Sequence, residues 1–226
     1  MSAALPLASS VLLAALAVCA SGQSGSVVSV QQAAVPVPLP LVEFDQLVAK
    51  PDQYVGQEVR VQLQFHSLVF DWNPFMTRFA PTQYIGVDAW TDQQRLWDQA
   101  DYEAPGARVF VDSFDPIIGV LLRAERQARI EVVCVVREFL AGEVWTEVTD
   151  IKLLPEYLPE GGLMHTIRAR AFMQHSSWAL AQGEFERALL APVPSHVRRI
   201  LEADAAICAA NATRMADLRR RHRIKH

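Results

Sequence analysis

The side chains that could take part in catalysis or binding are concentrated between Phe65 and Phe110. This segment holds ten of the nineteen aromatic residues. His66 and Asp71 lie five positions apart and could supply a general base and a carboxylate to a hydrolase. No Ser-His-Asp spacing, glycine-rich phosphate loop or set of metal-ligand residues accompanies them. The sequence therefore predicts no catalytic residue, no cofactor and no metal site.

The same segment favours recognition over catalysis, because aromatic and arginine side chains are enriched where proteins bind their partners. The predicted contact residues are His66, Trp72, Phe75, Arg78 and Trp90. The alternative, which we favour, is a long loop that folds its aromatic side chains over one end of the domain as a satellite core.

Four acids, Asp92, Asp98, Asp101 and Glu103, lie in the segment 91–106. Calcium loops need ligands at fixed spacing and a glycine at the bend, and this segment has irregular spacing with no glycine among the acids. It is interpreted as a solvated acidic loop.

Two cysteines lie in the predicted folded region. Cys134 belongs to a valine-rich strand and Cys208 to an alanine-rich helix. In an oxidising compartment the two can form a disulfide, and otherwise they are buried free thiols. Neither has a histidine neighbour in sequence, so no cysteine nucleophile is predicted.

The elements that must position these residues are mainly strands. Strict alternation of apolar and polar residues in 58–66 predicts a half-buried strand. Four more strands follow, at 83–90, 108–111, 129–139 and 144–151, with a helix predicted from Pro116 to about Gln127. Ala141-Gly142 predicts a tight hairpin turn between the last two strands.

This order, with the helix between the third and fourth strands, resembles the OB-fold, a five-stranded Greek-key barrel. The lead-in Phe44 to Val48, followed by Pro51-Asp52-Gln53-Tyr54-Val55-Gly56-Gln57-Glu58-Val59, resembles the start of exported bacterial OB-type domains. The resemblance covers residues 42–154. It implies an α+β protein in which a five-stranded OB-like antiparallel β-barrel precedes a C-terminal helical hairpin.

Charge is unevenly distributed along the chain. The segment 58–151 carries eight basic and fifteen acidic residues, a net charge of −7, whereas the chain from Arg214 onward carries +5. Barrels that bind single-stranded nucleic acid use a positive groove with stacking aromatics, which an acidic barrel disfavours. Nucleic acid is a more plausible partner for the basic tail, residues 221–226.

The N-terminus predicts export. Residues 1–20 form an apolar run of signal-peptide length, and residues 21–41 form a Pro/Ser/Gly-rich linker. Leu16-Ala17-Val18-Cys19 resembles the lipobox of bacterial lipoproteins, which implies possible lipidation at Cys19. The predicted location is periplasmic or otherwise extracytoplasmic, with membrane contact only through the N-terminal segment.

Residues 160–220 are predicted to be helical, with an interruption at Gly183 and a final helix from His196 to about Arg220 that Ser195 caps. The candidate buried positions of this helix are Ile200, Leu201, Ile207, Cys208 and Leu218. The segment 178–189 resembles one inter-helix turn of a tetratricopeptide repeat, and no second copy follows. The basic tail could be solvated, or it could dock on the acidic barrel of its own chain.

Three functional hypotheses remain. The first is an exported, non-enzymatic binding or scaffolding module that acts through protein–protein interaction. The second is binding of single-stranded nucleic acid or oligosaccharide on the barrel face, and the third is a hydrolase with an unrecognised site around His66 and Asp71.

Overall fold

The structure is a computed structural model that describes residues 38–73, 75 and 77–224. The predicted export segment, the lipidation site at Cys19 and the linker up to residue 37 lie outside the described residues. So do the last two residues of the basic tail. Predictions about these parts stay predictions.

Five strands form at the predicted places. Four are slightly longer than predicted, and the second keeps its predicted length of eight residues, shifted by one position. The strands are β1 (Glu58–Val69), β2 (Tyr84–Thr91), β3 (Ala107–Asp112), β4 (Arg129–Leu140) and β5 (Glu143–Leu153). They close into a barrel in the order β1-β2-β3-β5-β4, with β4 pairing back to β1. All neighbours are antiparallel except β3 and β5, which pair in parallel. This is the topology of an OB-fold, and the predicted fold class is confirmed.

The barrel interior follows from the period of two along each strand. On β1 the inward side chains are Val59, Val61, Leu63 and Phe65, of which the first three are fully buried. They meet inward valines and isoleucines of the other strands in one core cluster. At the β4–β5 turn, Ala141 and Gly142 both adopt positive φ, 56° and 85°, as a two-residue hairpin turn requires.

The helix predicted from Pro116 to Gln127 is wrong in length. Only one α-helical turn forms, α3 (Ile118–Leu121), and the chain then continues in turns to β4. Ile118 and Leu121 still close one end of the core, so the apolar spacing indicated the contact but not the extent of the helix.

The lead-in is a short helix, α1 (Phe44–Ala49), followed by a 3-10 turn over Pro51–Gln53. The residues just before α1 already belong to the folded body. The amide of Arg60 donates to the carbonyl of Pro40, and Leu41 bridges to Arg60 in parallel. The predicted linker therefore ends earlier than Leu41.

Four helices lie on one side of the barrel. They are α2 (Gln99–Glu103), α4 (Glu160–Gln174), α5 (Trp178–Ala188) and α6 (Ser195–Ile224). The hairpin turn between α4 and α5 lies at residues 175–177, so the predicted interruption at Gly183 is wrong. Gly183 lies inside α5, which removes the basis of the tetratricopeptide resemblance. The helices share a core cluster with Trp90 of the barrel.

The final helix starts at Ser195, the residue predicted to cap it, and runs to Ile224, so residues 221–224 of the predicted tail are helical. Its buried side chains are Val197, Leu201 and Cys208. Two further positions predicted to be buried, Ile207 and Leu218, are each 50% exposed. α6 is the longest helix among the described residues, and its second half extends beyond the helices it packs against.

Candidate functional site

The outer surface of β2 and β3 is where OB barrels commonly bind oligonucleotides or oligosaccharides. Alternation turns Gly86, Asp88 and Trp90 outward on β2, and Arg108 and Phe110 outward on β3. Pairing places Gly86 beside Phe110 and Asp88 beside Arg108. We call this surface the outer barrel face.

One end of the outer barrel face is covered by the β1–β2 loop, residues 70–83. Trp72 packs edge to face on Phe110, with ring centroids 5.0 Å apart. Phe79 stacks on the same ring at 4.8 Å and is 1% exposed. Trp145 of β5 completes the cluster by stacking on Phe110 at 5.1 Å.

Polar contacts fix the loop across the strands. The indole Nε1 of Trp72 donates to the carbonyl of Phe79 at 2.8 Å, which closes the loop on itself. The hydroxyl of Thr77 donates to Oε1 of Glu138 at 2.9 Å. Nη2 of Arg78 donates to the carbonyl of Arg137 at 3.1 Å. The loop is therefore anchored to β4 as well as to β3.

An ion pair lies in the middle of the outer barrel face. Arg108 binds Asp88 through two hydrogen bonds, Nε to Oδ1 at 2.6 Å and Nη2 to Oδ2 at 3.0 Å. This bidentate geometry uses both carboxylate oxygens and raises the pKa of Arg108, mainly through the hydrogen bond to Asp88. Both side chains stay partly exposed, Arg108 by 39% and Asp88 by 18%, and they line a pocket together with Gly106 and Glu143.

The far end of the face is occupied by Trp90, which is fully buried. Its ring stacks on Tyr102 at 5.3 Å and meets His66 edge to face at 4.7 Å. The guanidinium of Arg126 lies over both the Trp90 and the Tyr102 rings, 5.6 and 5.0 Å from their centroids. Trp90 therefore serves as a packing residue, and its predicted role as a contact residue is wrong.

His66 has both ring nitrogens engaged. Nη2 of Arg126 lies 2.7 Å from Nε2, and Oγ of Ser67 lies 2.7 Å from Nδ1. A guanidinium can only donate, so Nε2 accepts and Nδ1 carries the proton. Burial and the charge of Arg126 lower the pKa of His66, against a smaller opposing effect of Asp88. A neutral histidine with both nitrogens occupied is poorly placed to act as a general base.

The structure thus separates the five predicted contact residues. Trp72 and Trp90 cover opposite ends of the outer barrel face, and His66 lies beside Trp90. Phe75 is 94% exposed, and Arg78 is exposed on the loop. The favoured alternative, a satellite core formed by the loop aromatics, is what the structure has, as Trp72, Phe79, Tyr84, Phe110 and Trp145 form a separate cluster.

The loop acids serve local structure. Oδ1 of Asp98 caps the first turn of α2 by accepting from the amide of Ala100, and Oδ2 of Asp101 accepts from the amide of Arg95. Asp92 pairs with the guanidinium of Arg129. Among the described residues, no group of three or more His, Cys, Asp or Glu side chains could hold a metal ion.

The disulfide alternative is wrong, because Cys134 and Cys208 are both free and buried. They lie in different core clusters, Cys134 inside the barrel and Cys208 on the buried face of α6. Burial raises the pKa of the Cys134 thiol to about 12 and also raises that of Cys208. Neither thiol is poised for reaction.

A further concave surface lies in the helical layer, and the sequence alone did not indicate it. A groove of about 430 Å³ lies between the start of α5 and the second half of α6. Its walls include Trp178 and Leu180 on one side and Ala212, Met215, Ala216 and Arg219 on the other. We call it the α6 groove. The sequence feature that could have indicated this groove was the length of the final helix relative to the preceding one.

None of the described helices is both long enough and apolar enough to cross a membrane.

No protein-family model matches the sequence, and no curated protein matches it. Two solved structures are similar in part. One is a protein named as an aspartyl-tRNA synthetase from Leishmania major Friedlin, with 9% identity and a TM-score of 0.37 over 71% of this chain. The aligned part spans 34% of the synthetase chain. The other is a chain from the structure of yeast Stn1 and Ten1, with 12% identity and a TM-score of 0.32, covering 69% of this chain and 98% of that one. The OB-fold is identified here by the strand order of the barrel.

Proposed function

We propose that this chain is a non-enzymatic binding module that recognises another protein through its helical layer. The observation that carries the proposal is the α6 groove, an open surface with both polar and apolar side chains that lies where α6 extends beyond α5. Because the N-terminus predicts export, we expect the partner to be an extracytoplasmic protein.

The state of the outer barrel face supports this choice. Its aromatic side chains pack on one another or under the helices, with Phe110 at 1% and Trp145 at 5% exposure. Base or sugar stacking needs open aromatic faces, and the rings of Phe110 and Trp145 at the centre of this surface are buried. The central Asp88–Arg108 pair already uses both carboxylate oxygens of Asp88.

The α6 groove has the features of an interface core. Leu180 is 59% exposed and Met215 is 39% exposed, and Trp178 lies half-buried beside them. Aromatic and methionine side chains are enriched at the centres of protein interfaces. Clustered exposed apolar residues on a folded domain mark interaction sites more often than isolated ones do.

Site-specific photo-crosslinking in extracts of the native host tests the proposal. A photoreactive amino acid replaces Ala216 in the α6 groove, and a matched control carries it at Lys152, an exposed position on β5. We expect a discrete protein adduct from position 216, absent from position 152 and abolished by Leu180→Arg. Adducts of equal pattern at both positions would overturn the proposal.

Nucleic-acid binding by the C-terminal part of α6 is the second candidate, and a specific observation favours it. Five arginines lie between Arg214 and Arg223, and Asp217 is the only acid among them. Binding to phosphates releases counterions, so affinity would fall steeply with salt. Replacing Arg220, Arg221 and Arg223 by glutamine would reduce the slope of log K against log salt by about 2 for a single strand, at roughly 0.7 per contact.

Tryptophan fluorescence with a single-stranded oligonucleotide separates the two candidates, since Trp178 lies in the α6 groove. Saturable quenching of the tryptophan fluorescence, with an affinity that falls steeply with salt, would favour nucleic-acid binding. The hydrolase hypothesis has a separate test, a screen of esterase, phosphatase and glycosidase substrates with wild type and His66→Ala. Turnover lost in His66→Ala would overturn the non-enzymatic proposal.

A further inference from the structure

The α6 groove exists because two packed helices differ in length. α5 has 11 residues and α6 has 30, which correspond to about 16 and 45 Å of helix. The two helices are joined by a short connection, residues 189–194, and run in opposite directions, so the start of α5 lies beside the middle of α6. Beyond that point α6 has no described helix against it.

The apolar stripe of α6 continues past the end of its partner. Val197, Leu201 and Cys208 are the buried positions, and helical spacing puts Ala212 and Met215 on the same side. Leu201 and Cys208 are fully buried, whereas Met215 is 39% exposed. The groove thus continues the existing α5–α6 interface. Trp178, Leu180 and Met215 supply its apolar part, and Ser176, Ser177 and Arg219 supply its polar part.

The part of α6 that carries the groove is strongly basic, and Arg219 lines the groove itself. Within the described residues, Arg214, Arg219, Arg220, Arg221 and Arg223 make no ion pair. Arginines elsewhere in the helical layer do pair, as Arg170 does with Asp204 at 2.7 Å. Favourable interaction with the helix dipole falls off within the last turn, so it does not account for Arg214 or Arg219.

From these observations we propose that the α6 groove binds an acidic amphipathic α-helix of a partner protein. This inference rests on the proposed protein-binding function and specifies the partner's chemistry. Apolar side chains of the partner at i, i+3, i+4 and i+7 would fill the groove over Leu180 and Met215. The carboxylates that flank these apolar side chains would pair with the unpaired arginines. Charge complementarity of this kind also speeds the association of the two proteins.

Two other occupants fit less well. Successive helical residues are rotated by about 100°, so Arg214, Arg219, Arg220, Arg221 and Arg223 fall on all sides of α6. A helix lying in a bilayer interface needs one continuous apolar face, which this distribution denies. A nucleic-acid backbone would satisfy the arginines but would leave the apolar part of the groove unfilled.

Binding of designed fluorescent peptides to the full chain tests the proposal. The first peptide has leucines at i, i+3, i+4 and i+7 with glutamates on both flanks. The second replaces the glutamates by lysines, and the third keeps the glutamates but replaces the leucines by serines. We expect saturable binding of the first peptide and at least about tenfold weaker binding of the other two.

Variants of the chain locate the site. Met215→Glu and Arg219→Glu should each weaken the first peptide by about tenfold or more, while Lys152→Glu on the barrel should leave its affinity unchanged. Circular dichroism of each variant shows whether the helices persist, and Arg219→Gln, a milder change at an exposed position, should give a smaller loss than Arg219→Glu.

Equal affinity for the acidic and lysine peptides would overturn the inference, and so would binding that Met215→Glu does not change. Self-association through the groove, seen as a dimer by light scattering that Met215→Glu dissolves, would also overturn it in favour of a second copy. If position 216 crosslinks a protein but the acidic peptide does not bind, the proposed function stands and the acidic-helix inference fails.

Discussion

The indole of Trp72 packs edge to face against Phe110, with 5.0 Å between the ring centroids, although 38 residues separate the two in sequence. This contact joins the β1–β2 loop to the strand on which OB barrels commonly hold their ligands. A Cβ atom on the neighbouring Gly86 would lie 3.6 Å from Cζ3 of Trp72 and 3.3 Å from Cβ of Val69. The distance to Trp72 is an ordinary van der Waals contact, whereas the distance to Val69 is tight, so the glycine favours the close approach of β1 and β2 at this pair.

The first prediction concerns this anchor. Trp72→Ala removes the ring contact with Phe110 and the hydrogen bond to the carbonyl of Phe79. Because Trp72 is only half-buried, we expect the free energy of unfolding to fall by about 2–3 kcal/mol in urea denaturation. The matched control, Phe75→Ala, changes an aromatic residue of the same loop that is 94% exposed, and should cost under about 0.5 kcal/mol. Equal effects of the two changes would show that Trp72 does not anchor the loop.

The second prediction concerns the ion pair that joins the segment after β2 to the start of β4. Asp92 pairs with Arg129, whose side chain is 11% exposed and also donates to Oε1 of Gln62 at 2.9 Å. Asp92→Ala leaves the arginine charge partly buried without its partner, so we expect a loss of about 2 kcal/mol.

A double-mutant cycle measures this coupling. Adding Arg129→Met to Asp92→Ala removes the orphaned charge and should recover part of the stability. As a control, Glu202→Ala breaks the exposed Arg198–Glu202 pair at 3.8 Å and should cost under about 0.5 kcal/mol. Strict additivity of the Asp92 and Arg129 changes would contradict the predicted coupling.

The third prediction concerns pH. Burial, followed by the charge of Arg126, lowers the pKa of His66 in the folded chain. Burial also lowers the pKa of His196, with a counteracting effect of Asp92. As pH falls through about 6.5, the unfolded chain takes up protons that the folded chain does not, so stability is complete above this value and declines below it.

Urea unfolding at about pH 8 and about pH 5.5 should therefore show lower stability at the acidic pH. The variant His66→Asn with His196→Asn should show a smaller difference between the two conditions. His175→Asn, at an exposed position after α4, should leave the difference as in wild type. A difference that persists undiminished in the double variant would assign the effect to other groups.

The fourth prediction concerns the thiols. Cys134 is fully buried with a pKa raised to about 12, and Cys208 is fully buried on the inner face of α6. We expect neither to be alkylated by iodoacetamide in the folded chain near neutral pH, and both to react in denaturant. Peptide mapping reports each cysteine separately, and under non-reducing conditions it should show no peptide that joins Cys134 to Cys208.

The sequence by itself determined the barrel. Alternation in β1 fixes which side chains point inward, and Ala141-Gly142 fixes the hairpin turn between β4 and β5. These are local signals, since side-chain direction in a strand and backbone twist in a two-residue turn depend on near neighbours. The same holds for the start of α6 at Ser195.

Tertiary structure decided how the outward side chains are used. Trp90 looks like a surface residue of a strand by sequence, yet it is fully buried because Leu158, Leu163 and Phe185 share its core cluster. Similarly, Ile207 and Leu218 share one face of α6 but are each 50% exposed. Both positions are rotated by about a quarter turn from Cys208, and the face that packs against α5 carries Val197, Leu201 and Cys208 instead. Alternation and helical spacing define the faces of an element, but the segment that covers a face comes from a distant part of the chain, and only the folded structure brings the two together.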